Sequence, residues 1–110
     1  DVDAPALYTL SVTLSDGGGG DVDALRTRIG FRAAAFRPRE GFFLNGRRLD
    51  LHGCNRHESM PGCGSALPPE LQRADAVLLK ELGCNFVRLS HYPQHPAFLD
   101  ACDELGLLIY

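Results

Sequence analysis

Two identical Glu-Leu-Gly tripeptides, 23 residues apart, constrain the fold of this chain more than any other feature. Glu81-Leu82-Gly83 and Glu104-Leu105-Gly106 each end a stretch with helical spacing, and each precedes a short apolar run. A glycine directly after such a stretch is a common C-terminal stop for a helix. Helices of this length between nearly all-apolar strands are typical of βαβ units and a parallel sheet. The second half of the chain is therefore predicted to be α/β.

Both predicted helices begin at prolines, which favour the first helical position. The first helix starts at Pro68 and Pro69, and its predicted apolar stripe consists of Leu71, Ala74, Leu78 and Leu82. The second starts at Pro96, and its predicted apolar face consists of Phe98, Leu99, Cys102 and Leu105. Two helices cannot cover both faces of a parallel sheet, and a complete (β/α)8 barrel needs ~250 residues. We therefore expect the start of a longer TIM barrel.

The first third of the chain has a different period. Residues 7–14 and 25–32 alternate between apolar and polar side chains, which predicts two antiparallel strands with one solvated face. They are interpreted as closing strands of a larger β-sandwich. A hairpin is predicted over residues 42–51, because Asn45-Gly46 supplies the positive φ angles of a type I′ turn. Polar residues 37–41 mark the predicted boundary between a unit of residues 1–36 and a barrel segment of residues 37–110.

Composition excludes several classes of function. The net charge of −3 provides no basic surface for nucleic acid, and no apolar run approaches the ~20 residues of a membrane span. The acidic start of the chain does not resemble a leader peptide. Cys84 and Cys102 lie in apolar patterned stretches, so they are predicted to be core thiols rather than disulfide partners. We expect neither a nucleic-acid nor a membrane partner.

Polar and aromatic groups gather after two of the predicted parallel strands. Gly53-Cys54-Asn55-Arg56-His57-Glu58 follows the first, and Arg88-Leu89-Ser90-His91-Tyr92-Pro93 ends the second. Side chains at successive strand ends are how an α/β barrel builds an active site. His57 and His91 are the candidates for hydrogen bonding in a polar pocket. Arg88 lies in an apolar run, so its buried charge is predicted to need a carboxylate partner.

A zinc site is the alternative reading of this region. A loose His/Cys group consists of His52, Cys54, His57 and Cys63. On this reading the chain is a small self-contained α/β domain whose loop of residues 52–63 holds a zinc ion. The tight paired spacings of structural zinc sites are absent, so no metal ligand is assigned. Ser90 beside His91 is not interpreted as a nucleophile, because adjacent residues in an extended chain point apart.

The motifs resemble, in order, those of glycoside hydrolase family 2, the family of β-galactosidases, β-glucuronidases and β-mannosidases. The matching segments are Ile29 to Arg32, Phe43 to Gly46, Gly53 to Glu58, Asn85 to Pro93 and Cys102 to Leu107. Asn-Arg-His, with Pro-Gln-His-Pro after Tyr92, is most similar to the β-galactosidase branch. The loop of residues 59–65 departs from the histidine-rich continuation of that branch, which puts the identity of the sugar in doubt.

The resemblance implies an immunoglobulin-like sandwich that leads into a (β/α)8 barrel, and a retaining β-glycosidase acting on carbohydrate. It places the acid/base and the nucleophile beyond Tyr110, so no residue here is assigned as catalytic and this segment alone is expected to be inactive. It assigns sugar binding to the positions of His57, His91, Arg88 and Asn55, with Arg88 pairing with the nucleophilic carboxylate. No cofactor is expected in this segment. The resemblance also implies that some full-length enzymes bind magnesium, through ligands downstream of this segment. The full-length enzyme is expected to be a homo-oligomer.

Two alternatives stay open at this point. One is a β-glucuronidase- or β-mannosidase-type relative. The other is a carbohydrate-binding or scaffold protein that keeps the fold without the catalytic carboxylates.

Overall fold

The computed structural model describes all 110 residues and contains two helices and three small sheets. In chain order the elements are β1 (Tyr8–Ser15), β2 (Asp21–Ile29), β3 (Ala34–Arg37), β4 (Gly41–Leu44), β5 (Arg47–Arg48), β6 (Gly53–Arg56), α1 (Pro69–Glu81), β7 (Phe86–Leu89), α2 (Pro96–Leu105) and β8 (Leu108–Ile109). Neither helix is long and apolar enough to cross a membrane.

The second half is the α/β unit that the sequence predicts. Strands β6, β7 and β8 form a parallel sheet in that order, and α1 and α2 make the two crossovers. Val87 of β7 packs against Phe98, Ala101 and Cys102 of α2 in a buried cluster that also contains Ala76 and Leu107. The helices thus cover one face of the sheet.

The helix ends also agree with the prediction. Pro69 occupies the first turn of α1, and His95 caps α2 by accepting a hydrogen bond from the backbone N–H of Ala97 through Nδ1 (3.0 Å). Gly83 and Gly106 follow the two helices with φ angles of 84° and 70°. At Gly106 a side chain has no room, because a Cβ atom would lie 2.4 Å from the carbonyl oxygen of Val2.

The packing face of α1 differs from the prediction. Leu78 and Leu82 of the predicted stripe are 54% and 71% exposed. The buried residues of α1 are Gln72 and Ala76. The helix turns a partly polar face inward because an arginine of the sheet lies beneath it, as described below. The leucines form an exposed outer stripe.

The two alternating stretches at the start form the antiparallel pair β1–β2, with Tyr8 opposite Ile29. Strand β2 begins at Asp21, four residues before the predicted start at Leu25. The connecting loop is a structured turn, because Asp16 Oδ1 accepts hydrogen bonds from the backbone N–H groups of Gly18 and Gly20 (2.9 and 2.8 Å).

A second antiparallel sheet joins the two halves. Strands β4 and β5 form the predicted hairpin, in which Asn45 and Gly46 have φ angles of 51° and 81°. Strand β3 was not predicted, and it pairs with β4 from Ala34↔Leu44 to Arg37↔Gly41. This pairing crosses residues 36 and 37, where the sequence predicts a domain boundary.

Ion pairs attach β2 to the helices. Arg28 contacts Asp100 at 2.8 Å and also Glu104, which accepts from Arg73 as well. The hydrogen bonds from Arg28 and then Arg73 hold the pKa of the Glu104 carboxyl below its usual range. One carboxylate of α2 therefore joins the first antiparallel sheet to both helices.

Gly53 should tolerate no side chain. A Cβ atom there would lie 1.8 Å from the carbonyl oxygen of Phe86, inside the β6–β7 pairing. We expect Gly53→Ala to destabilise the natural protein that carries this chain by more than ~3 kcal/mol, or to prevent folding. Gly17→Ala, with nothing within 4 Å of its Cβ, is the control and should be nearly neutral. Urea unfolding of both variants checks this, and equal midpoints would contradict it.

Glu104 should contribute stability that depends on acid pH. Because its pKa is lowered in the folded state, its contribution is present above the unfolded-state pKa of about 4.3 and is lost as pH falls through the lower folded value. We expect Glu104→Gln to flatten the fall in melting temperature below about pH 5. Asp103→Asn, at the exposed neighbouring position, is the control and should keep the parent profile.

Candidate functional site

The candidate site lies at the carboxyl ends of β6 and β7. The strands are in parallel register, with Asn55 opposite Arg88 and Arg56 opposite Leu89. Val87 and Arg56 are buried on the helix side, so alternation places Asn55 and Arg88 on the opposite face. The predicted site residues therefore share one face and one end of the sheet. The first motif was predicted to follow a strand, but its Gly53–Arg56 part is the strand β6 itself.

His57 and His91 meet directly beyond these strands. Their ring centroids are 5.4 Å apart with an interplanar angle of 88°, an edge-to-face contact. Tyr92 joins them, with its ring 6.3 Å from that of His57. All three residues are exposed, and the Ser90–His91 peptide bond is cis. Residues 34 positions apart in the chain thus present two imidazoles side by side.

Arg88 is half-buried beside Asn55, which is exposed. Its guanidinium makes no side-chain hydrogen bond and no ion pair within residues 1–110. The sequence predicts a carboxylate partner for Arg88 near this end of the sheet, and the chain itself does not supply one. The N–H groups of Arg88 therefore remain available to a carboxylate or a ligand.

The buried arginine of the sheet is Arg56, whose importance could not be seen from the motif alone. It is 5% exposed, and its guanidinium carbon lies 3.9 Å from the ring centroid of Phe98. Its Nε and Nη2 donate to Asp75 (3.0 and 2.7 Å), and Nη2 also donates to Gln72 (2.8 Å). Its Nη1 donates to Gln94 (2.5 Å). The sequence did contain a signal: Gln72 and Asp75 lie one helical turn apart on α1.

The backbone of Arg56 holds the second loop in place as well. Its carbonyl oxygen accepts hydrogen bonds from the Gln94 side chain (2.7 Å) and from the backbone N–H of Ser90 (2.9 Å). Both donors flank His91. Arg56, which directly precedes His57, thus binds residues before and after His91. This explains why the two histidines come into contact.

The His/Cys group considered for zinc does not form a metal site. No group of three or more His, Cys, Asp or Glu side chains is placed to hold a metal ion. All four cysteines are free, as expected for core thiols at Cys84 and Cys102. Burial raises the pKa of the Cys102 thiol to about 12, which keeps it protonated and unreactive.

A family model described as "Glycosyl hydrolases family 2, TIM barrel domain" matches residues 37–110. The chain belongs to glycoside hydrolase family 2. This confirms the resemblance carried by the Asn-Arg-His-Glu and Ser-His-Tyr-Pro motifs. It also identifies the β6–α1–β7–α2–β8 unit as part of a family 2 barrel.

Individual family 2 proteins are similar over nearly the whole chain. A β-galactosidase of Thermoanaerobacterium thermosulfurigenes is 50% identical over 111 residues, covering 100% of this chain and 15% of that protein. A β-galactosidase of Thermoanaerobacter pseudethanolicus is 47% identical over 98% of this chain and 14% of its own length. The crystal structure of the Parabacteroides merdae β-glucuronidase superposes with a TM-score of 0.88 at 41% identity, covering 99% of this chain and 14% of that one. The chain thus spans about one seventh of the family 2 proteins it matches.

Arg56 should tolerate no shorter cation. Lysine cannot reproduce the forked contacts with Asp75, Gln72 and Gln94, so buried acceptors would lose their donors. We expect Arg56→Lys to lower the free energy of unfolding by about 3 kcal/mol. Arg26→Lys, at an exposed position of β2, is the control and should change it by less than ~0.5 kcal/mol. Chemical unfolding measures both, and a stable Arg56→Lys protein would show that the fork is dispensable.

Proposed function

We propose that the natural protein carrying this chain is a retaining β-glycosidase and that this segment supplies part of the wall around the glycone. One observation carries the proposal: His57 and His91 are in contact beyond adjacent parallel strands of a family 2 chain. In barrel enzymes, substrates bind at this end of the sheet. Exposed imidazoles at that place suit a ligand rich in hydroxyl groups.

The chemistry of these side chains fits glycoside hydrolysis. Imidazole N–H groups can donate to sugar hydroxyls, and such bonds accelerate hydrolysis where they strengthen as the oxocarbenium-like transition state forms. The reaction also needs two carboxylates, one as nucleophile and one as acid/base. No carboxylate approaches Arg88 within the chain, which supports assigning the nucleophile to another part of the protein, and we assign the acid/base there as well.

We assign Arg88 as the ion-pair partner of the nucleophilic carboxylate. Its unpaired guanidinium would keep a neighbouring carboxylate ionised and oriented. Asn55, its partner in the β-sheet register, can donate and accept hydrogen bonds with the same sugar or carboxylate. Together they form the floor of the proposed site, beneath the two histidines.

We propose a β-galactoside as the substrate and a β-glucuronide as the alternative. A neutral glycone suits the two imidazoles if Arg88 is occupied by the nucleophile. A glucuronide carries its own carboxylate and would need a further cation. The alternative is favoured by the similarity to the Parabacteroides merdae β-glucuronidase, at 41% identity.

For the first third of the chain we propose the closing strands of an immunoglobulin-like sandwich, with the domain boundary after residue 36. The support is the row of Tyr8, Leu10, Val12 and Leu14, which are all exposed. A facing sheet would cover them. The chain contains no group of three His, Cys, Asp or Glu side chains placed around a metal ion, and we assign any magnesium of the complete enzyme to other residues.

Hydrolysis of nitrophenyl β-galactoside, β-glucuronide and β-mannoside by the natural protein tests the proposal. Turnover of the galactoside above the other two is the expected result. Preference for the glucuronide would select the alternative. If folded protein hydrolyses none of the three, the result favours a carbohydrate-binding or scaffold protein, or a glycone outside the panel, over the proposed β-galactosidase.

His91 should be needed for turnover. We expect His91→Ala to lower kcat/KM by a factor of about 10 to 1000, or roughly 1.4 to 4 kcal/mol of transition-state stabilisation. His52→Ala is the matched control, since His52 is exposed at the opposite end of β6. An unchanged kcat/KM in His91→Ala would place His91 away from the sugar.

A further inference from the structure

Glu58 lies at the centre of the contacts that join the two histidine loops. Its Oε1 accepts a hydrogen bond from Gln72 Nε2, and its Oε2 accepts one from the backbone N–H of His95 (3.1 Å). Its own backbone N–H donates to the hydroxyl oxygen of Tyr92 (2.9 Å). The residue directly after His57 therefore binds α1, the start of α2 and the loop that carries His91.

The donor and the acceptor of each of these hydrogen bonds are fixed by the neighbouring groups. Gln72 Oε1 accepts from Arg56, which can only donate, so the amide of Gln72 must turn its NH2 group toward Glu58. The other partner of Glu58 is a backbone N–H, which is also only a donor. The side chain at position 58 must therefore offer two acceptors. A carboxylate has two acceptor oxygens, whereas an amide has one acceptor oxygen and one NH2 donor.

We propose that Glu58 is a positioning residue, which sets the contact between His57 and His91 through its paired acceptors. The inference rests on the proposed function, because it assigns Glu58 a role through histidines that bind the glycone. Glu58 itself touches no reacting atom. Its carboxylate holds the backbone N–H of His95, its own backbone N–H holds Tyr92 beside His91, and Gln72 connects it to the buried charge of Arg56.

Two substitutions separate this role from simple stabilisation. In Glu58→Gln the new NH2 group faces a donor, either Gln72 or His95, and one bond is lost. In the exchanged pair Glu58→Gln with Gln72→Glu, the new carboxylate at 72 accepts from Arg56 and from the amide at 58. The oxygen of that amide still accepts from His95. The exchange restores every bond and conserves the net charge.

The experiment measures kcat and KM of the natural protein on the substrate that the panel identifies. We expect Glu58→Gln to lower kcat/KM by about 10-fold or more, mainly in kcat, and the exchanged pair to return within about 3-fold of the parent. Glu81→Gln, an exposed position at the end of α1, is the control and should match the parent. Melting temperatures confirm that each variant is folded. If Glu58→Gln does not fold, the exchanged pair and Tyr92→Phe, which removes the acceptor for the Glu58 N–H, provide the same comparison.

A double-mutant cycle with His57→Ala decides whether Glu58 acts through the histidine. We expect Glu58→Gln to cause little further loss once His57 is absent, because residues that act as a unit are not additive. A full additional loss in that background, or activity of Glu58→Gln within two-fold of the parent, would overturn the inference and leave the proposed function intact. If His57→Ala itself has parent activity, the glycone-binding assignment of His57 fails, and the inference fails with it.

Discussion

The buried guanidinium of Arg56 is the interaction on which the rest of the α/β unit depends. A buried charge is tolerated only with its hydrogen bonds satisfied, and here three side chains from α1 and the β7–α2 loop satisfy them while Phe98 lies against its face. This requirement brings Gln72 and Asp75 inward and leaves Leu78 and Leu82 outside. The orientation of α1 is therefore set by the polar contacts to Arg56 together with the apolar packing of Ala76 and Leu79.

The same arginine explains how a short strand can build a precise site. Through its carbonyl oxygen it holds Ser90 and Gln94, and through Gln72 it fixes the amide that meets Glu58. The loops after β6 and β7 are thus connected by bonds on both sides of the histidines. Binding groups placed by packed secondary structure are held more accurately than groups on free loops. The contact between His57 and His91 is a consequence of these connections.

Much of the fold could be predicted from the sequence because its signals are local. The Asn45-Gly46 turn, the prolines before each helix and the glycines after them depend on backbone conformation alone, and all three occur as expected. The inward face of α1 could not be predicted from hydrophobic spacing, because a long-range hydrogen bond to Arg56 decides it. Strand β3 was missed because its four residues do not alternate between apolar and polar side chains. It becomes a strand through its pairing with β4. The motifs showed where the site lies, but only the fold shows that Arg56 and Arg88 point to opposite faces.

Arg56 and Arg88 differ in their surroundings because their side chains point to opposite faces of the sheet. Arg56 is paired in register with Leu89, one residue beyond the Asn55–Arg88 pair, so it faces the helices, where the chain provides every partner it needs. Arg88 faces the other side, where the chain provides no acceptor. An arginine with its bonds complete stabilises the fold, whereas one with open donors can bind a partner only when the surrounding structure brings one. The sheet thus separates an arginine whose donors are satisfied from one whose donors are open by a single step along the strand, and each of the two adjacent strands contributes one of them.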